Sequence, residues 1–224
     1  EDVVVDYLIL AKLPKNQMVA LLVAAEHRLI QERINLVQDA GLEPRSINID
    51  ALALIGAFKA VSPHTKGVVA LLDIGYRVSK LMVMEDNIPY FSRDIETGEY
   101  EITQAISEEM GMDFQLAKEW AYQPRDKIKE INEAIKFVLN SLLDELSLSF
   151  GYCERNLEKK VDRLYLSGGG SKVKILTDAL GKVPNLEINL WDPTQGFKIV
   201  PSQGSKELKE FAPLLAVAIG LAIS

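Results

Sequence analysis

The stretch Leu164-Tyr165-Leu166-Ser167-Gly168-Gly169-Gly170-Ser171 decides the fold of this chain. A short apolar run typical of a buried strand ends in three glycines and a serine, and the amphipathic segment 172–180 follows as a predicted helix. Because glycine has no side chain, its backbone can approach a flat or anionic ligand closely. The pattern therefore points to a nucleotide.

A second strand with a comparable ending lies upstream, in Gly67-Val68-Val69-Ala70-Leu71-Leu72-Asp73-Ile74-Gly75. Its apolar run stops at an aspartate and a glycine rather than at a glycine triplet. Two turns of this kind, one acidic and one glycine-rich, indicate the two sides of a cleft.

The composition narrows the class of protein. The chain has 224 residues with 48% hydrophobic and 25% charged side chains, as in an ordinary soluble globular protein. Its net charge of −7 argues against nucleic-acid binding, because no basic excess is available for phosphates. One cysteine and two histidines leave little material for a disulfide framework, a zinc site or a histidine-based triad.

The targeting signals are few. The longest apolar run, residues 211–223, is shorter than the roughly 20 residues that span a bilayer, so we expect a buried helix and no direct membrane insertion. No signal peptide is visible, since the chain opens on Glu1-Asp2 rather than on a basic stretch, and the single cysteine is consistent with a reducing compartment. Because it starts on a strand pattern without methionine, we expect the natural N-terminus to lie upstream.

Hydrophobic periodicity predicts a hairpin, then a helix, then a mixed sheet with helices. The hairpin strands are predicted at 3–10 and 18–25, and the first helix runs to Gly41. Ser62 to Gly67 makes the best domain boundary. Further helices are predicted at 51–60, 101–110, 114–121, 127–157 and 172–180, and further strands at 67–75, 79–84, 88–92, 164–166 and 186–190. A small-residue helix closes the chain, and its composition predicts tight packing against another element.

The order of these elements resembles the actin-like ATPase superfamily. Within it, the chain is most similar to the PilM family, the cytoplasmic actin-like components of type IV pilus assembly. The matching stretches are residues 40–54, 71–95, 102–120, 142–152, 164–181 and 211–223. The resemblance implies an α/β fold of the actin-like (ribonuclease H-like) ATPase type, incomplete, with mixed sheets flanked by helices.

The resemblance also implies a division into two lobes. Residues 1–66 would form the interaction subdomain and the connecting helix of an incomplete first lobe. Residues 67–224 would form the second lobe, with a helical insert at about 101–158 and a terminal helix at about 205–224 that returns to the first lobe. The upstream part of the first lobe, with its own phosphate loop, is expected to be missing, which would expose an apolar patch or recruit another chain.

The cofactors implied by the resemblance are ATP and Mg²⁺. Asp73 would hold the magnesium ion, mainly through water, and the backbone around Gly75 would approach the outer phosphates. Gly168, Gly169, Gly170 and Ser171 would form the adenosine loop. Further implied contacts come from Ser79, at an aligned hydroxyl position, and from Glu145 and Ser149, which share a helix face near the ribose and base. For Glu145 and Ser149, a solvated glutamate and a buried hydroxyl are equally good interpretations.

Several residues depart from the family pattern or have two interpretations. Tyr76 and Arg77 stand where relatives carry small residues and threonines, so Arg77 either contacts phosphate or faces solvent. Leu148 replaces a basic residue. The acidic cluster Asp94, Glu96 and Glu99 is either a metal site or a solvated loop, and we expect the loop.

Three functions are compatible with this fold. The first, implied by the resemblance to the PilM family, is a nucleotide-binding assembly scaffold that binds the cytoplasmic tail of a PilN-type inner-membrane protein. It would meet other pilus assembly components, could self-associate, and would be held at the inner membrane through its partners. The second is an active ATPase or sugar kinase, and the third an FtsA-like filament-forming protein. The bulky turn after Gly75 favours binding over hydrolysis, so the sequence favours the scaffold.

Overall fold

A computed structural model describes residues 2–124, 127–200 and 205–223 and divides the chain into the units Glu1–Ile49 and Asp50–Ser224. The first unit is an antiparallel hairpin of β1 (Val3–Leu13) and β2 (Gln17–Glu26), followed by α1 (His27–Asp39). Lys15 and Asn16 both have positive φ, as a tight hairpin turn requires. The predicted hairpin and helix are confirmed.

Apolar side chains of this first unit are largely exposed. Tyr7 is 64% exposed and Leu22 is 68% exposed, although both lie on strands. Among the side chains described here, none in residues 2–49 is buried. The unit therefore offers a broad apolar surface.

The second unit is built around a five-stranded mixed sheet with the strand order β5-β4-β3-β6-β7. The strands are β3 (Val68–Ile74), β4 (Ser79–Glu85), β5 (Ile88–Ile95), β6 (Arg163–Ser167) and β7 (Glu187–Leu190). β3, β4 and β5 form an antiparallel meander, whereas β6 and β7 run parallel to β3. β3 is central and nearly all buried, which explains its almost unbroken apolar run.

Helices cover both faces of this sheet. One face packs against α3 (Glu99–Met110), α4 (Phe114–Tyr122), α5 (Ile128–Ala134), α6 (Lys136–Leu157) and α7 (Lys174–Leu180). The other packs against α2 (Asp50–Val61) and α9 (Ala216–Ile223), with α8 (Ser205–Phe211) before α9. Alternate residues of β3 divide between the two cores, Leu72 to the first and Leu71 to the second.

Two predicted helices are interrupted. The helix predicted at 127–157 breaks at Ile135, whose φ of −90° and ψ of 0° leave the helical region between α5 and α6. The terminal helix divides at a 3₁₀ turn, Ala212–Leu215, because Pro213 has no amide hydrogen to continue the ladder. Its predicted last residue, 224, and the side chain of Ser205 lie outside the described residues.

The prediction that the terminal helix packs closely is confirmed. Its Gly220 lies directly on α2, where a Cβ atom would overlap the backbone of Ala53. The two units divide the chain at Ile49, so α2 belongs with the sheet rather than with residues 1–49. The division at residue 66, which assigns residues to two lobes, stays a prediction.

Candidate functional site

Two turns meet at one edge of the five-stranded sheet. β3 and β6 run parallel with Asp73 opposite Ser167, so the turn after Asp73 and the glycine triplet after Ser167 leave the sheet side by side. Gly168 has a φ of +82°, and a Cβ atom there would overlap the backbone of Ile74. The triplet therefore lies directly on the end of β3, and the cleft predicted between the two turns stays a prediction.

Asp73 presents a half-buried carboxylate at this edge. Its Oδ1 accepts a hydrogen bond of 2.7 Å from Ser167 Oγ. Burial raises the pKa of Asp73 above its ordinary value, and nearby Asp50 adds to this, while Ser167 and Lys80 oppose it. The charged carboxylate therefore lowers the stability of the folded state.

A row of alternating charges continues across the sheet from Asp73. Lys80 lies opposite Asp73 in the strand register and Asp94 lies opposite Lys80. The Lys80 ammonium is 3.3 Å from Asp50 Oδ2 and 3.6 Å from Asp94 Oδ2. Three carboxylates and one ammonium therefore give this edge a net negative charge.

The turn after Asp73 is fixed to the start of α3. The carbonyl oxygen of Gly75 accepts a hydrogen bond of 3.0 Å from the amide of Glu99, and that of Tyr76 accepts one of 2.7 Å from the amide of Tyr100. The amide of Gly75 donates within the turn, to Val78 O at 3.1 Å. These backbone hydrogen bonds hold the turn in place.

Within the adenosine-loop motif, the residues have different surroundings. The amide of Gly168 donates to Pro213 O at 2.8 Å, and Ser171 Oγ donates to Gly168 O at 2.7 Å. Packing within the fold accounts for three residues of the motif that are buried, namely Gly168, Gly170 and Ser171. Gly169 is more open, and it begins the 3₁₀ turn Gly169–Lys172.

A cavity of about 340 Å³ lies along α4. Tyr122, in its wall, has its hydroxyl 3.4 Å from the carbonyl oxygen of Gly169. Glu99 Oε1 pairs with Lys118 Nζ at 2.8 Å, and Glu99 Oε2 is 3.3 Å from where a Cβ atom of Gly169 would lie. Burial and the neighbouring Glu99 carboxylate raise the pKa of Tyr122, so the phenol stays neutral. The cavity lining is Gln115, Lys118, Glu119, Tyr122 and Gln123.

This arrangement corrects one expectation. Glu99 is not part of a solvated acidic loop, since it is only 7% exposed and is neutralised by Lys118 from the next helix. Sequence reasoning also missed α4 as part of the site. The available signal was the spacing of Gln115, Lys118 and Tyr122, which share one face of the helix.

Three predicted site residues have partners elsewhere. Glu145 Oε2 is 2.5 Å from Arg93 Nη2 on β5, and Ser149 Oγ donates to the carbonyl of Glu145 at 2.8 Å. The strand β5, which carries Arg93, lies three strand spacings from β6, or about 14 Å at the usual spacing. Ser79 is fully buried, and its hydroxyl donates to Thr97 O at 2.6 Å. Each of these side chains has a partner within the fold, and their contact with a nucleotide stays a prediction.

Donors for a metal ion are few at this edge. Within the described ranges, no three His, Cys, Asp or Glu side chains are grouped to hold an ion. Magnesium commonly keeps several waters and binds only one or two carboxylates beside a phosphate. Asp73 alone therefore fits a magnesium site of that kind.

Comparison with solved structures identifies the fold. The chain is similar to the ethanolamine utilization protein EutJ from Carboxydothermus hydrogenoformans, with 17% identity and a TM-score of 0.61 over 89% of this chain and 62% of that one. It is also similar to MreB5 of Spiroplasma citri bound to AMPPNP, with 14% identity and a TM-score of 0.58 over 89% and 64%. The fold is that of the actin-like ATPases.

Two further comparisons assign the chain to a family within this fold. A PilM–PilN type IV pilus biogenesis complex contains a chain that is 27% identical, with a TM-score of 0.81 over 99% of this chain. The family model described as type IV pilus assembly protein PilM matches residues 1–224, and the chain belongs to this family. It spans 66% of the length of the chain in that complex.

Proposed function

We propose that this chain binds ATP with Mg²⁺ as part of an actin-like scaffold of type IV pilus assembly, and that the scaffold captures the cytoplasmic tail of a PilN-type inner-membrane protein. The observation that carries the nucleotide-binding part is the strand register. It puts Asp73 and Gly168–Ser171 at one sheet edge, and Tyr122 in the wall of the cavity on α4 contacts Gly169. Membership of the PilM family supports the place in pilus assembly.

The residues at this edge fit a nucleotide. The open backbone of Gly169 and the neutral ring of Tyr122 offer a flat surface beside the Glu99–Lys118 ion pair, which suits a nucleoside. Asp73 would hold Mg²⁺ through water, and the ion would supply positive charge to the phosphates. The turn at Gly75 is already fixed by backbone bonds, so little ordering is needed on binding.

Binding is favoured over turnover by the turn that follows Asp73. Hydrolysis requires a group that activates or orients water next to the outer phosphate. In this chain the bulky Tyr76 and Arg77 occupy the turn, and the Ser79 hydroxyl is turned to Thr97 in the interior. These features support a nucleotide that stabilises a conformation rather than one that is consumed.

The partner is proposed from the family and from the first unit. The similar chain of 27% identity belongs to a PilM–PilN complex. In this chain, each strand of the hairpin pairs only with the other in the described residues, which leaves edges to which an extended peptide could add. Within the described helices, none is long and apolar enough to cross a membrane. We therefore propose that the scaffold is held at the inner membrane through the PilN-type tail.

A binding assay on the complete gene product tests both parts. Calorimetry should detect ATP binding that tightens with Mg²⁺, and Asp73→Ala should remove the tightening without unfolding the protein. A PilN-type tail peptide on beads should retain the protein, whereas a scrambled peptide of the same composition should not. Retention is measured with and without ATP.

The outcomes separate the alternatives. Failure to bind ATP refutes the nucleotide part, and failure to bind the tail refutes the pilus-scaffold part. ATP-dependent filaments without tail binding would support the FtsA-like alternative. Sustained phosphate release would support an active ATPase.

A further inference from the structure

The turn between β3 and β4 carries a guanidinium that is held by aromatic rings. The Cζ atom of Arg77 is 3.9 Å from the ring centroid of Tyr100 and 6.0 Å from that of Tyr76. The two tyrosine rings meet edge to face at 5.6 Å, and Tyr100 also contacts Phe114 at 5.5 Å. Arg77 therefore rests on a cluster of three rings that joins the turn to α3 and α4.

This contact leaves the hydrogen-bond donors of Arg77 available. A guanidinium stacks through its flat face, while its five N–H donors point outward in the plane of the group. The chain has 32 acidic residues, yet no carboxylate in the described ranges forms an ion pair with Arg77. Arg77 is exposed and held by rings rather than neutralised, so its planar fork can bind an anion.

The position of Arg77 favours phosphate as that anion. It lies in the turn that follows Asp73 and Gly75, at the same sheet edge as the glycine triplet. Asp50, Asp73 and Asp94 lie at this edge, and Lys80 is already paired with two of them. Three carboxylates repel an approaching polyphosphate, so positive charge in addition to that of the proposed Mg²⁺ ion would favour its binding.

We propose that Arg77 contacts the outer phosphates of the bound nucleotide and that Tyr100 is the positioning residue that holds it there. This inference rests on the proposed nucleotide binding. It adds a phosphate contact made by Arg77, which stands where relatives carry small residues. It predicts that the preference for ATP over adenosine depends on Arg77.

The test measures the affinities of the complete gene product for ATP, ADP and adenosine by calorimetry. Arg77→Gln should weaken ATP binding about 10- to 100-fold, as expected for loss of a hydrogen-bonded ion pair, and leave adenosine binding unchanged. Arg77→Lys should recover part of the loss, because it keeps the charge and loses the planar fork. Tyr100→Leu should weaken ATP binding by about 2- to 5-fold, also without affecting adenosine.

Arg155→Gln is the matched control. Arg155 is exposed near the end of α6, and the ion pair of Lys159 with Glu85 places that end at the opposite edge of the sheet from Asp73. This control should bind ATP like the parent, which excludes a general effect of lost charge.

Each outcome decides between the two proposals. If the parent binds ATP and Arg77→Gln keeps the same ATP-to-adenosine ratio, the phosphate contact is wrong and nucleotide binding stands. The same conclusion follows if Arg77→Gln weakens only the capture of an acidic tail peptide. If the parent binds no nucleotide, both proposals fall.

Discussion

Gly168 and Gly169 are neighbours in the glycine triplet, yet alanine at the two positions should have different effects. Alanine at Gly168 should lower the stability of the fold, and alanine at Gly169 should weaken nucleotide binding. At Gly168 the φ of +82° is unfavourable for a residue with a Cβ atom, by about 1–2 kcal/mol. The added Cβ would also overlap backbone atoms of Ile74, and such overpacking costs about 1–3 kcal/mol. We expect Gly168→Ala to destabilise the second unit by about 2–5 kcal/mol.

Gly169→Ala should leave the fold intact and weaken nucleotide binding. Its φ is outside the left-handed range, and the nearest atom to an added Cβ is Glu99 Oε2 at 3.3 Å, a side-chain atom that can move slightly. The change in stability should stay within about 1 kcal/mol, since alanine also reduces the freedom of the unfolded chain. The methyl group would project between the backbone and Glu99, beside the cavity on α4, and should weaken ATP binding about tenfold or more.

Urea denaturation followed by tryptophan fluorescence measures the stability term. The chain has two tryptophans, Trp120 on α4 and Trp191 after β7, and both lie in the second unit, so the signal reports on that unit. Calorimetry with ATP measures the binding term. If Gly168→Ala were as stable as the parent, or if both variants lost equal stability, the packing of the triplet on Ile74 would be wrong.

Three further predictions address the fold around the site. Burial raises the pKa of Asp73 above 3.8, so its penalty on the folded state is absent below the unfolded-state pKa, develops between that value and the folded-state pKa, and is complete above it. Asp73→Asn should therefore stabilise the protein at pH 7 and lose this advantage at about pH 3, as measured by urea titration. Gly220→Val should destabilise by about 3 kcal/mol because it overlaps Ala53, whereas Ala218→Val on the exposed face of the same helix should have little effect on the same urea titration. Burial raises the pKa of the Cys153 thiol to about 11, so this thiol should react with a disulfide reagent at pH 8 only after unfolding. Rapid reaction of the native protein would contradict this burial.

The sheet was accessible to sequence reasoning because its signals are local. The nearly unbroken apolar run of β3 indicates a strand buried on both faces, and the glycine triplet marks the end of β6. The break at Ile135 was not accessible, because Ile131 and Ile135 are both buried and the helical spacing continues across it. A period of three to four residues identifies the buried face of a helix without reporting the dihedral angles of one residue.

The site was harder to predict than the fold, because it depends on which elements become neighbours. The spacing of Glu145 and Ser149 places them on one face of α6, but it does not say which strand that face meets. The structure places Glu145 against Arg93 of the edge strand β5. Similarly, an acidic residue at position 99 reads as solvated until Lys118 of another helix is found beside it.

The predicted site residues differ in what each side chain contributes to the stability of the fold. Ser79, Ser149 and Ser171 each donate a hydrogen bond to a carbonyl of their own chain, so the fold alone explains them. Asp73 is different, because a half-buried carboxylate with a raised pKa opposes folding at neutral pH, and an asparagine of the same shape could occupy the position without that penalty. A residue that the fold would be more stable without needs another reason to be present, and residues of this kind concentrate at functional sites. Of the predicted side-chain contacts to nucleotide and metal, Asp73 is therefore the one that the fold alone explains least, and its binding of magnesium stays a prediction.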